Sequence, residues 1–332
     1  QIKHIFINSG NANACTGNKG EKNTKKILHT LSMRLSCRVD EILIMSTGII
    51  GRQLPIDKIL ESLQTSDFNK YSDLKNAATA IMTTDKFPKY LSQTYKIGQK
   101  KITFRGICKG AGMIEPNMAT MLSFIETNVE LPKVLLRGYL KYCSGLSFNS
   151  ISVDGDMSTN DTVVFTSTGS LKININNKSI EKKFLSYASD FFIKLASYIV
   201  KDGEGATKFI KMNVINTKSL TLAQEVSRKL SNSLLVKTAI FGEDPNWGRI
   251  IASLGSIDSH YINTTKVKLK INNILCFKNG MPIDNISRKL KKSMQKNTIE
   301  ITIDLNNGKY KQSIYFSDLS YEYVRINSEY TT

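Results

Sequence analysis

Apolar residues recur along this chain in two rhythms. Across residues 25–37, Ile27, Leu28, Leu31 and Leu35 return every three or four positions, which predicts a helix. The same spacing is clearest across residues 179–201, where Leu185, Ala188, Phe192, Leu195 and Ile199 line one face. Residues 55–63, 71–82, 222–230 and 286–294 also read as helices, and so do residues 133–143, behind a Pro132 suited to a first helical turn. Strands are predicted at residues 2–8, 41–45, 90–97, 101–108, 121–126, 162–166, 209–214 and 235–241. Residues 266–271 and 298–305 alternate like half-exposed strands. The sum is an α/β chain without repeats, and both a layered sandwich and a doubly wound sheet satisfy it. A strand opening at residue 2, behind Gln1 rather than a Met, predicts a fragment or a processed form.

Composition narrows the class. The 332 residues suit one large domain or two intimate ones. Hydrophobic content of 41% and charged content of 22% are ordinary for a soluble protein. No apolar run approaches the ~20 residues of a membrane span, and no basic-then-apolar signal peptide opens the chain. Cys15, Cys37, Cys108, Cys143 and Cys276 are odd in number and scattered, so a reducing, cytoplasmic setting is expected. His4, His29 and His260 lie far apart, which argues against a metal site and against a histidine-centred triad. The net charge is +18, from 46 Lys and Arg against 28 Asp and Glu. The basic residues are dispersed, as in Lys25 with Lys26 or Lys289 with Lys291 and Lys292, without interleaved aromatics. No specific nucleic-acid partner is expected from such a pattern.

Chemistry gathers in small, polar, glycine-bearing loops. These are residues 8–14, 46–48, 83–85, 109–112, 154–156 and 202–205. Each alone reads as a turn, but six together point to a composite site on a rigid scaffold. Walker A and GxSxG patterns are absent, and Gly106, Gly110 and Gly112 lack the GxGxxG spacing. In residues 109–124, glycines and Pro116 force a sharp path before Thr120 opens an apolar strand. Such a junction suits attack of the Thr120 hydroxyl on the Ala119 carbonyl, followed by hydrolysis of the ester. The freed α-amine would titrate at about 7.7–8.0 and could serve as base beside the Thr120 hydroxyl. One residue then supplies nucleophile and base, with no need of histidine.

At these residues the chain closely resembles the glutamate N-acetyltransferases, also called ornithine acetyltransferases, of arginine biosynthesis. The matching stretches are NSGNANACTG at 8–17, STGIIGRQLP at 46–55, MTTD at 82–85 and residues 109–124. SVDGDMSTNDT at 152–162, KDGEGAT at 201–207, GEDPNWGRIIASLG at 242–255 and NSEYTT at 327–332 continue the resemblance. It implies a layered αββα-like sandwich with a smaller C-terminal α/β portion. It further implies an alpha fragment, 1–119, and a beta fragment, 120–332, in one intertwined core, assembled as two of each. Thr120 would be the nucleophile, freed by cleavage after Ala119. Thr47 and Gly48 would form the oxyanion hole, a feature worth ~2.7–4 kcal/mol per donor. Thr83, Lys109, Glu204, Asn327 and Thr332 would contact substrate. The implied reaction is ping-pong transfer of acetyl from N-acetylornithine to glutamate, with no cofactor and with acetyl-CoA as a co-substrate in some members. The nearest alternative is a self-cleaving, aminopeptidase-like hydrolase of related fold, though such relatives tend to use serine.

Overall fold

The computed structural model describes residues 2–115, 121–258 and 260–329. The chain begins with β1 (His4–Asn8), α1 (Gly17–Arg34), β2 (Ile42–Ser46), α2 (Ile56–Thr65), α3 (Leu74–Ala80), β3 (Lys89–Ile97) and β4 (Lys100–Lys109). Next come β5 (Leu122–Val129), α4 (Lys133–Leu146), β6 (Ile151–Ser152), β7 (Thr162–Leu171), α5 (Lys178–Lys201), β8 (Phe209–Thr217) and α6 (Leu220–Ser231). Then follow α7 (Leu234–Phe241), α8 (Trp247–Gly255), β9 (Lys268–Ile271), β10 (Ile274–Lys278) and β11 (Met281–Pro282). The last elements are α9 (Ser287–Met294), β12 (Thr298–Asp304), β13 (Tyr310–Ser317) and α10 (Tyr321–Glu329).

Strand alternation builds the layers. In β1, Phe6 faces one way, toward Ile27 and Leu31 of α1 and Leu63 of α2. Its neighbour Ile7 faces the other way, toward Ile107 of β4 and Phe124 of β5. The same period-two logic splits β4: Ile102, Phe104 and Cys108 join the core with α4 and α5, while Ile107 meets α3. The parallel pair β1–β2 thus stacks on the four-stranded sheet β3-β4-β5-β7, with helices outside both. This is the layered αββα arrangement.

The aromatic stripe of α5 locks the four-stranded sheet in place. Phe184 and Phe191 both lie 5.5 Å from the Phe104 ring, and Phe192 meets Phe165 of β7 edge-on at 5.3 Å. The C-terminal α/β portion is built on the sheet β11-β10-β9-β12-β8-β13-β6. One face, including Met212, Ile301 and Ile314, is covered by Val226 of α6, Ile240 of α7, Leu254 of α8 and Leu290 of α9. On the other face, the stacked rings of Phe209 and Tyr315 reach the α5 core, so α5 joins the two halves. None of the helices described is long and apolar enough to cross a membrane.

One expected strand is a helix. Residues 235–241 form α7, because Val236, Ala239 and Ile240 are buried at helical spacing and the Ser233 side chain caps Val236 N. A short apolar run cannot separate buried strand from buried helix by periodicity alone. Helix α1 starts eight residues before the expected point, since its first two turns are polar and bury only Gly20 and Asn23. Strand β13 and helices α8 and α10 were not anticipated from the apolar pattern.

Lys237 of α7 is 2% exposed, and its ammonium donates to the Ser317 carbonyl at the end of β13. Burial pulls it down to about 8, against the weaker opposing pull of Asp318. An unfolded lysine keeps its proton up to about 10.4. Between these values the unfolded chain binds more protons than the folded one, so stability rises with pH across that window. Relative to Lys237→Met, which cannot titrate there, the native protein should gain stability from pH 7.5 to pH 10. Urea denaturation of both proteins at several pH values checks this, and a constant difference would contradict it.

Candidate active site

The ends of β2, β4 and α5 and the helix α10 converge on one cavity of about 210 Å³. Thr47, Gly48, Thr83, Lys109, Glu204 and Asn327 all line it. Thr47, just beyond β2, is 2% exposed, and its N–H donates to the Asn8 carbonyl at 3.1 Å. The donor it keeps for a ligand is therefore its hydroxyl. No acceptor takes the Gly48 N–H among the described residues, which leaves that group free for an oxyanion. Gly48 has φ +124°, and a Cβ there would lie 2.3 Å from the Gly10 carbonyl carbon. Only glycine lets loops 8–14 and 46–48 close on each other.

Lys109 ends β4 and is 2% exposed. Its Nζ donates to Thr83 Oγ1 at 2.9 Å and to Thr47 Oγ1 at 3.1 Å. Burial lowers its pKa below the usual lysine range; Asp85 opposes this, Lys89 adds to it, and Asp161 and Glu204 oppose it more weakly. In the same cavity, Glu204 is 6% exposed and its N–H donates to the Ala111 carbonyl at 2.9 Å. Asn327 Nδ2 on α10 donates to Glu204 Oε2 at 2.9 Å. Gly112 sits against that carboxylate: a Cβ there would fall 2.4 Å from Oε2. Gly205, with φ +69°, would put its Cβ 2.4 Å from Tyr323 N, so it sets how closely α10 approaches.

A buried ion triad braces the loops that carry Lys109 and Glu204. Lys89 Nζ donates to Asp85 Oδ1 and Asp202 Oδ2, each at 2.5 Å, and all three side chains are sealed from solvent. Asp85 also accepts Thr83 N at 3.0 Å and Gly110 N at 2.7 Å. Burial raises the Asp85 pKa, but Lys89, Lys109 and the Gly110 N–H together outweigh it and leave the carboxyl below its usual range. Asp202 accepts Lys86 N at 3.0 Å. Beside these, Asp154 accepts Met113 N at 2.6 Å and Ile114 N at 2.8 Å, which fixes the strand-to-loop path after Gly112.

Of the residues picked out from sequence, Thr47, Gly48, Thr83, Lys109, Glu204 and Asn327 thus share one cavity. Ala119, Thr120 and Thr332 lie outside the described residues. Lys89 was not anticipated: it opens a strand and reads locally as a surface lysine. Asp85 and Asp202 stood in loops already singled out, but nothing in those loops announces their shared cation.

The model of the ArgJ family matches residues 1–332. The arginine biosynthesis bifunctional protein ArgJ of Aquifex aeolicus is 40% identical over 334 residues, covering 100% of this chain and 85% of that protein. The glutamate N-acetyltransferase of Methanocaldococcus jannaschii is 41% identical over 349 residues, covering 100% of this chain and 85% of that one. A crystal structure of the arginine biosynthesis bifunctional protein ArgJ from Bacillus halodurans is similar with a TM-score of 0.59 and 32% identity. The match covers 62% of this chain and 98% of that chain.

Lys89→Met would leave two buried carboxylates facing each other without a cation. The expected loss is about 3–5 kcal/mol, the cost of breaking rather than replacing a buried pair. Urea denaturation measures it; a loss under 1 kcal/mol would show that Asp85 and Asp202 do not depend on Lys89.

Proposed function

This chain belongs to the ArgJ family, and on that footing we propose that it is a glutamate N-acetyltransferase of arginine biosynthesis. It moves acetyl from N-acetylornithine to glutamate through an acetyl-threonine on Thr120. The observation that carries this reading is a cavity of about 210 Å³ lined by both a buried ammonium, Lys109, and a buried carboxylate, Glu204. Lys109, with Thr83 and Thr47 as its acceptors, suits the α-carboxylate that both substrates carry. Glu204, held by Asn327, suits the side-chain ammonium of ornithine. Thr332 joins these contacts in our assignment.

In the first half-reaction the Thr120 hydroxyl attacks the acetyl carbonyl and gives its proton to the α-amine of the same residue. The oxyanion takes the Thr47 hydroxyl and the Gly48 N–H as donors. Collapse breaks the C–N bond, and the proton passes to the departing amine of ornithine. Glutamate then enters, and its neutral amine attacks the ester by the reverse route. We assign no cofactor; acetyl-CoA enters only as an alternative acetyl donor.

Maturation by cleavage after Ala119 would give fragments 1–119 and 120–332. Continued association of the two is supported by the pairing of β4 with β5, from Phe104↔Thr127 to Lys109↔Leu122, which crosses the junction. We assign an assembly of two of each fragment, working in the cytoplasm.

Denaturing electrophoresis with mass spectrometry tests this reading directly. The native protein should give two fragments, the second beginning at Thr120, and Thr120→Ala should give one uncut chain without acyl transfer. A native protein that stays at 37.2 kDa, or an uncut variant that still transfers acetyl, would reject it. Ornithine release should also require glutamate for turnover; release at the same rate without glutamate would indicate a hydrolase. Glu204→Gln should raise the KM for N-acetylornithine about 10–100-fold with little change in kcat, as expected for loss of a charge-assisted contact. An unchanged KM would remove Glu204 from the ornithine subsite.

A further inference from the structure

Asp161 stands immediately before β7, beside the start of β5. The two strands run parallel with Leu122 opposite Thr162, and Thr162 N donates to the Met121 carbonyl at 3.0 Å. One step back along this register, the Met121 N–H donates to Asp161 Oδ1. The second oxygen, Oδ2, is sealed from solvent and has no partner among the described residues. Its neighbour Asn160 is anchored, with Nδ2 donating to Ser46 Oγ at 2.9 Å. A buried carboxylate oxygen without a donor is costly, so holding Met121 alone does not explain an acid here.

Burial pushes the Asp161 carboxyl up to about 7, with Met121 N–H and the Lys109 ammonium pulling the other way. Lys109, at the end of β4, is the one charged group that acts on it among the described residues. An acid of this strength holds a useful fraction of both forms at neutral pH.

We propose that Asp161 is the proton donor to the departing nitrogen in self-cleavage. This rests on the reading of Thr120 as nucleophile. Only Cα and the carbonyl carbon separate the nitrogen of residue 120 from Met121 N, so the two nitrogens lie within about 4 Å in any conformation. As Thr120 Oγ bonds to the Ala119 carbonyl carbon, the C–N bond breaks and the nitrogen needs a proton. Asp161 gives it, and the hydroxyl proton replaces it on the carboxyl. Water then adds to the ester and its C–O bond breaks, leaving a carboxylate on Ala119, a free Thr120 hydroxyl and a proton released to solvent.

The test follows cleavage of freshly synthesised full-length chain, made in a cell-free system and shifted to buffers from pH 5.5 to 8.5. For the native protein the rate should fall as pH rises through about 7. Asp161→Asn keeps the acceptor for Met121 N–H but cannot donate a carboxyl proton. It should cleave about 100-fold more slowly, within the range of general acid catalysis, and without that fall. Asp161→Glu should restore part of the pH-dependent limb, which a purely structural role would not. Asp161→Asn cleaving at the native rate with the native pH profile overturns the proposal. A native rate that is flat from pH 5.5 to 8.5 also overturns it, even if the variants fail to fold. A native chain that never yields a fragment beginning at Thr120 overturns the nucleophile reading as well, which separates the two failures.

Discussion

The Lys89 ammonium is the point on which the rest of the site hangs. It ties Asp85, four residues away in sequence, to Asp202, which is 113 residues away at the end of α5. Through Asp85 it fixes the Thr83 and Gly110 amides, and so both ends of the wall that carries Lys109. Through Asp202 it fixes the turn that delivers Glu204. Burying three charges is expensive, and the attraction between them recovers that cost only when geometry and further hydrogen bonds are good. Here the Asp85 carboxylate accepts Lys89 and two backbone amides as well. A triad of this kind does more to specify where loops sit than to add stability.

Glycines complete what the triad begins. The walls approach so closely that backbone meets backbone at Gly48 and carboxylate meets backbone at Gly112. A methyl group at either position would open the cavity rather than merely crowd it. Gly205 plays the same part for α10, which carries Asn327 to Glu204. The polar, glycine-bearing loops visible in the sequence are thus places where chain must pass chain, and their small residues are consequences of that contact.

Much of the fold was legible because it obeys simple periods. The stripe on α5 and the alternation in β4 and β5 follow directly from one-sided burial, as the positions of Phe192, Phe104 and Ile125 show. The loops holding Thr47, Thr83, Lys109 and Glu204 were legible as chemistry because their composition departs from ordinary strand and helix. Lys89 was not, because a lysine's local sequence does not say whether two carboxylates will enclose it. Helix α7 was misread because Leu234 and Leu235 are apolar yet exposed, so polar positions that would mark its period are missing. The polar start of α1 failed for the opposite reason: Gly20 and Asn23 are buried there without any apolar signal. For Lys89 the deciding partner, Asp202, lies 113 residues away in sequence.

The overall charge of +18 also misleads about the site. Around the cavity and beneath it stand Asp85, Asp161, Asp202 and Glu204, against the ammonium groups of Lys89 and Lys109. Lys89 is already neutralised by two carboxylates, and Lys109 spends two donors on threonine hydroxyls. The local balance therefore has acid in hand, within a protein whose surface is strongly basic. A surface field is screened over about 8–10 Å at ordinary ionic strength, whereas buried groups are screened much less. What enters the cavity is chosen by the buried set. That set offers both an ammonium and a carboxylate to one cavity, which is the complement of a zwitterionic amino acid and not of a polyanion.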